Sequence, residues 1–432
     1  MSTDLHSHAT APAEPATREP LGPRFRALLT STGMANLADG VVQVGLPLYA
    51  VTLTRSPVQI SLLSAAAWLP WLLLALVGGA AVDRSDRRTV QVAALAVRAA
   101  LLLAGAVAVT TGRMTVEVLI ALALLYGATD VMIDLAETAL VPDVTPRSRL
   151  RAAYGRIQAT QMVMAAFVGA PIAGLLLGFG AAQLLGTAAA LAGLGALVLA
   201  LGVRGDYGRA GDPPPGTTHG LVATLRSTVG DVRQGLATLV HHPVLRPLTL
   251  AGALFNMAST GYTALLVLWA VGAGSRIGLT PGQYVWIGVA QAVGAVIGAT
   301  AVERVVRRVP ELHAMVTGWW AAAACLLAPV LAPRPWVLFA AVLVVGAGAA
   351  ASNVLSVTVR QRLVQPGMLG RVTGASRTLG YGLMPLGALL AGAAADRWGL
   401  GPVLLAACAL MLATPLLPAL AVRRDMLVDA DA

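Results

Sequence analysis

Residues 83–88 read Asp-Arg-Ser-Asp-Arg-Arg: two acids and three arginines in six positions. A run of more than twenty mostly apolar residues lies on each side. Charge this dense is excluded from hydrocarbon, so the stretch reads as a short loop joining two membrane helices. Gly78 and Gly79 stand at its entrance, where small residues let two helices approach closely.

The second half of the chain repeats the arrangement. Glu303, Arg304, Arg307 and Arg308 follow Asp83, Arg84, Arg87 and Arg88 at an offset of 220 residues. At the same offset Pro146 meets Pro366 and Arg151 meets Arg371. A register held without gaps over two loops points to two equivalent halves. About twelve apolar segments of spanning length can be drawn. The first six cover 27–53, 58–82, 89–111, 115–140, 153–177 and 182–203. The second six cover 246–272, 282–302, 312–332, 336–358, 373–395 and 400–421. The expected fold is an all-α integral membrane protein of twelve transmembrane helices in two six-helix bundles, 24–203 and 246–421. Residues 1–23, rich in Pro, Ala and Thr, and residues 422–432 are expected to be tails.

The arginines set the orientation. Loops after even-numbered spans carry Arg84, Arg87, Arg88, Arg147, Arg149, Arg151, Arg304, Arg307, Arg308, Arg360, Arg362 and Arg371. Loops after odd-numbered spans carry only Arg55, Arg113, Arg276, Arg334 and Arg397. The bias predicts a multi-pass protein of the cell membrane with both termini in the cytoplasm. The net charge of +10, all its cations arginine, is thereby explained by topology, and no nucleic-acid partner is expected. Charged residues make up only 12% of the chain, about half the share of a soluble domain. Cys325 and Cys408 both lie in apolar runs, without disulfide or metal spacing. No cofactor is expected. Nor is an enzyme: there is no nucleophile–base pair, metal cluster or P-loop, and His241 and His242 stand without partner ligands.

Residues 204–245 form a cytoplasmic linker between the halves. It opens with Gly, Asp and a triple proline at 213–215. Val222, Leu225, Val229, Val232, Leu236 and Leu239 then recur at helical spacing. The period fits equally a helix on the membrane surface, with Arg226 and Arg233 towards headgroups, and a helix packed on the protein's own inner face.

An ionisable residue inside a span costs a few kcal/mol, so it needs a partner or a function. Asp39 lies near the middle of span 1 and Arg98 within span 3. Asp39 reads equally as a proton or substrate site and as the partner of Arg98. Span 4 carries Asp130, Asp134 and Glu137 along one helical face. Asp134 and Glu137 are expected to reach Arg87 or Arg88 as a clamp on the inner face; Asp130 lies deeper and stays open between a clamp and proton coupling. Span 5 holds Gly169, Pro171 and Gly174, where proline bends the helix and glycine allows close packing.

The pattern from Gly79 through Asp83, Arg84, Arg87 and Arg88 resembles the loop between helices 2 and 3 of the major facilitator superfamily. The span 5 element resembles one carried by that superfamily's drug exporters. Further stretches are similar to the enterobactin-exporter-like and macrolide-efflux group: 36–40, 52–57, 155–158, 234–236 with 242–246, and 384–388. The resemblance implies a monomeric secondary exporter of a drug, siderophore or secondary metabolite that alternates access across the membrane against a proton gradient. Asp39, Asp130 and Arg98 would then couple to protons. The loop residues Gly79, Asp83, Arg84, Arg87, Arg88, Glu303, Arg304, Arg307 and Arg308 would hold one face closed with Asp134 and Glu137. Spans 1, 4, 7 and 10 line the superfamily's cavity. Asn36, Asn256, Thr260, Tyr262 and Asn353 are therefore substrate-contact candidates, joined by Gln158, Gln161, Arg377 and Tyr381 from spans 5 and 11. The sequence departs from many proton-coupled exporters in having no arginine in span 4. Two other readings are an uptake transporter for a small metabolite and a non-transporting membrane sensor or scaffold.

Overall fold

The computed structural model describes residues 21–82, 84–208, 230, 233–272, 274–365 and 368–422. Asp83, both tails beyond these limits, and most of the linker, including Arg226, lie outside the described residues.

The first half comprises α1 (Pro23–Leu53), α2 (Pro57–Val82), α3 (Arg87–Thr110) and α4 (Val116–Val144). It continues with α5 (Leu150–Met162), a π turn (Val163–Gly169), α6 (Ala170–Phe179) and α7 (Ala181–Gly202). The second half comprises α8 (Leu245–Ala270), α9 (Pro281–Tyr284), α10 (Trp286–Val306), α11 (Glu311–Leu331) and α12 (Pro335–Leu363). It ends with α13 (Leu369–Gly382), α14 (Met384–Trp398), α15 (Leu400–Ala413) and α16 (Leu416–Ala421). The pairs α5–α6, α9–α10, α13–α14 and α15–α16 each make one span, which gives twelve among the described residues. Eleven of these are long and apolar enough to cross a membrane, among the described residues. The exception is α1, whose 31 residues are long enough but include Thr32, Asn36, Asp39 and Gln43. Its polar content marks it as a helix that faces protein and water more than lipid.

Helix packing follows the two halves. In the first, α7 packs on α1 and α3, and α4 on α2 and α3; in the second, α12 packs on α10 and α11, and α8 on α14 and α15. The halves meet along α2 against α14 and along α6 against α9 and α10. These joints use small residues. Ala65, Ala264 and Ala388 form one buried cluster across the joint. A Cβ on Gly392 would stand 2.5 Å from Ser61, and one on Gly174 would stand 2.7 Å from Val285.

The joints gather at the end that carries the odd-numbered loops. There Arg55, at the end of α1, donates from Nη1 to the carbonyl of Val271 at 2.8 Å, tying the halves together. At the arginine-rich end the buried apolar clusters separate. Phe25, Leu140, Ile157 and Leu199 belong to a cluster within the first half. Leu239, Val364, Val372 and Ala375 belong to one within the second. The molecule is thus closed at one end, with a cleft opening between the halves at the other. The helical segment of the linker at 233–241 packs on the second half's own face. Gly235 touches the Arg371 backbone so closely that a Cβ would stand 2.3 Å from its carbonyl oxygen.

Candidate functional site

Arg98 is eleven residues into α3, about 16 Å from its start at 1.5 Å per residue. Its side chain cannot reach water and is fully buried. Two other helices supply its partners. Asp39 on α1 accepts from Nη1 at 2.5 Å, and Asp130 on α4 accepts from Nη2 at 2.8 Å. Thr129 accepts from Nε at 3.1 Å. The guanidinium carbon lies 4.4 Å from the centre of the Tyr126 ring, and the Tyr126 hydroxyl donates to Asp39. A planar, permanently charged fork suits such a junction, since each of its edges takes a separate acceptor.

Local sequence makes room for this cluster. Gly40 follows Asp39 and meets Gly169: a Cβ on Gly40 would fall 2.1 Å from the Ala165 carbonyl oxygen. Pro171 lacks the N–H that an α-helix would send four residues back. The turn before it opens into a π turn, in which the Ala170 N–H reaches Ala165, five residues back. Sequence alone predicts a bend here; the structure places a widened turn at this point. α1 therefore lies against span 5 directly beside Asp39.

Asp134 and Glu137 do not meet Arg87 or Arg88. Arg87 pairs with Asp143 at 2.6 Å, and Arg88 donates to the Ala200 carbonyl at 2.6 Å. Asp143 succeeds where Glu137 does not because it lies nearly two turns further along α4, level with the loop. Glu137 is instead buried and accepts from Thr32 on α1 at 2.6 Å and from Gln161 on α5 at 3.0 Å. Asp134 lies within the electrostatic reach of Arg377 on α13, in the other half. Gly78, not Gly79, makes the close approach to α4, against Met132 and Leu135; a Cβ on Gly79 would meet open space. Asp86 anchors the loop by accepting from the Tyr207 N–H at 3.0 Å and from the Thr89 hydroxyl. Burial raises the Asp86 pKa, but these hydrogen bonds outweigh it and hold it below the ordinary aspartate value.

The sequence repeat is not a contact repeat. Glu303, Arg304, Arg307 and Arg308 are exposed, and no ion pair engages them among the described residues. The counterpart of Arg87–Asp143 is Glu311–Arg362, which likewise joins the start of one span to the end of the next, with the charges exchanged.

Among the substrate-contact candidates, Gln158, Asn353 and Arg377 are exposed, while Asn36 donates to the Thr32 carbonyl within its own helix. Tyr381 is half-buried between Trp68 and Trp71 of α2, with ring centres 6.0 and 5.7 Å away. Three candidates are engaged in packing. Tyr262 is fully buried and donates to the Leu326 carbonyl at 2.9 Å, facing α11 and not the cleft. Thr260 bonds back to the Asn256 carbonyl, and Asn256 reaches the Gly380 carbonyl at 3.5 Å. Gln161 serves Glu137. Tyr126, Thr129 and Thr32 escape a reading of the sequence that looks for charge. Tyr126 and Thr129 lie a turn or less from Asp130, and that spacing is the signal that finds them.

A buried charge network at the junction of three spanning helices, beside a cleft open at one end, is the architecture of a membrane transporter. The Major Facilitator Superfamily model matches residues 28–388, and the chain belongs to that superfamily. It is 28% identical over 409 residues to the Multidrug efflux pump Tap of Mycobacterium tuberculosis, covering 89% of this chain and 90% of that protein. It is 26% identical over 381 residues to the Uncharacterized MFS-type transporter y4rN of Sinorhizobium fredii, covering 86% of this chain and 88% of that one. Among solved structures, the nucleoside transporter NupG aligns with a TM-score of 0.71 at 13% identity, over 93% of this chain and 100% of that one. A bacterial homolog of the human lysosomal transporter Spinster, inward-facing and unoccupied, aligns at 0.66 and 16%, over 95% and 98%. These two show the fold alone.

Proposed function

We propose that the chain is a secondary exporter of a small molecule, a drug, siderophore or secondary metabolite, driven by proton antiport. The observation that carries this reading is the ratio of charges at Arg98. One buried guanidinium serves two carboxylates, Asp39 and Asp130. With both acids ionised the cluster carries one excess negative charge in a low-dielectric setting; one bound proton neutralises it. Binding and release of that proton change the cost of burying the cluster, and so bias the two halves between their arrangements. Similarity over most of the chain to a protein named as a multidrug efflux pump supports the outward direction.

In this account the bundles 24–203 and 246–421 rock about the cleft, with 204–245 linking them on the arginine-rich face. That face is cytoplasmic, with both termini, and the protein works as a monomer in the cell membrane. Asn36, Gln158, Asn353, Arg377 and Tyr381 are the substrate contacts. The loop contacts of Arg87 and Arg88 hold the first half together while it moves. The test uses cells expressing the chain and a fluorescent hydrophobic probe. Steady-state probe content is expected to fall below that of control cells and to recover when an uncoupler collapses the gradient. Probe content above control would mark uptake and overturn the exporter reading.

A further inference from the structure

Glu137 is the one buried acid of α4 that the Arg98 network does not use. Its side chain holds neutral partners only: Thr32 Oγ1 on Oε2 at 2.6 Å and Gln161 Nε2 on Oε1 at 3.0 Å. The charged groups around it are acids. Asp134 lies a turn away on its own helix, and Asp39 acts on it from α1. No cation from the packed helices is available to it among the described residues. On α3, Arg98 is committed to Asp39 and Asp130, while Arg87 and Arg88 serve Asp143 and Ala200. On α1 Arg24 and Arg26 are exposed, as are Arg151 and Arg156 on α5, and α2 carries no charge. A carboxylate so placed, buried among like charges with no counter-ion, is too costly to keep ionised. Protonation removes the charge and keeps both hydrogen bonds, because the Thr32 hydroxyl can accept as well as donate.

From this pocket we infer that Glu137 is a second proton-binding site, separate from the Asp39–Arg98–Asp130 cluster. It holds its proton while α1, α4 and α5 are packed together at the open end of the cleft. The inference rests on the proton-driven reading for its role in transport, but not for its existence. Ionising Glu137 would place an anion between three helices, and their arginine-rich ends would part. The second site thus links proton release to the arrangement of the cleft's own walls.

The test is infrared difference spectroscopy of the full chain in lipid nanodiscs, across a change from neutral to alkaline pH. The carbonyl band of a protonated carboxylic acid vanishes on ionisation. The expected result is a band component lost in Glu137→Gln but retained in Asp39→Asn and Asp130→Asn. Thr32→Val removes the 2.6 Å partner, and should move that same component to higher frequency. This second variant keeps the test open should Glu137→Gln fail to fold. A spectrum unchanged by Glu137→Gln, or a component unmoved by Thr32→Val, overturns the assignment. If the band behaves as expected while probe efflux proves independent of the gradient, the antiport reading fails and the site stands.

Discussion

Arg98 is the residue on which the first half turns. A cation buried at the crossing of three helices stabilises nothing by itself; its value lies in the acids that would otherwise stand unpaired. Replacing it with methionine leaves Asp39 and Asp130 close together without a counter-charge. The expected loss is about 3–5 kcal/mol of stability, read as a lower melting temperature of the purified protein in detergent. Adding Asp39→Asn to Arg98→Met should restore part of it, and no restoration would mean the two residues are not energetically coupled. Asp39, Arg98 and Asp130 were legible in the sequence because charge within an apolar span is rare. Thr32, Tyr126 and Thr129 were not, since threonine and tyrosine are ordinary in membrane helices and only their neighbours give them meaning. Glu137 shows a different limit. Helical phase places it on the face of Asp130 and Asp134 but says nothing about its depth relative to the loop, so the sequence pairs it with Arg87 and the structure does not.

At the scale of elements, the loop between α2 and α3 works through the end of α4. Arg87 and Asp143 lie at adjoining helix ends, and their bond fixes the spacing of two spans. Arg87→Ala is expected to slow turnover several-fold while leaving probe affinity near wild type, because the bond lies far from the cleft's binding residues. Exchange of the two charges, Arg87→Asp with Asp143→Arg, should recover rate; exchange with Glu137 in place of Asp143 should not. Recovery by the Glu137 exchange would restore the clamp that sequence predicts. The second half reaches the same end with Glu311 and Arg362 in opposite order. The conserved geometry is therefore one of helix ends and not of the motif 303–308, whose charges face outward. Span 5 makes a related point. Pro171 was legible as a break in a helix; that the break would become a π turn seated on Gly40 depends on α1, which no reading of span 5 contains.

The whole molecule joins a tight end to an open one. Small residues and the Arg55 bond close the odd-loop end, while separate apolar clusters leave the arginine-rich end parted. Twelve spans in two halves could be read from apolar length and the 220-residue register, because lipid imposes both on any chain that crosses it. Which end is closed could not, since that depends on contacts between halves that are far apart in sequence. The account's central claim is that a proton at the Asp39–Arg98–Asp130 cluster drives movement of substrate. Everted membrane vesicles containing the protein, given an acid interior and a fluorescent hydrophobic probe, test it most directly. Probe should accumulate, the accumulation should collapse with an uncoupler, and Asp39→Asn should insert normally yet accumulate none. Undiminished gradient-driven accumulation in Asp39→Asn would contradict the claim.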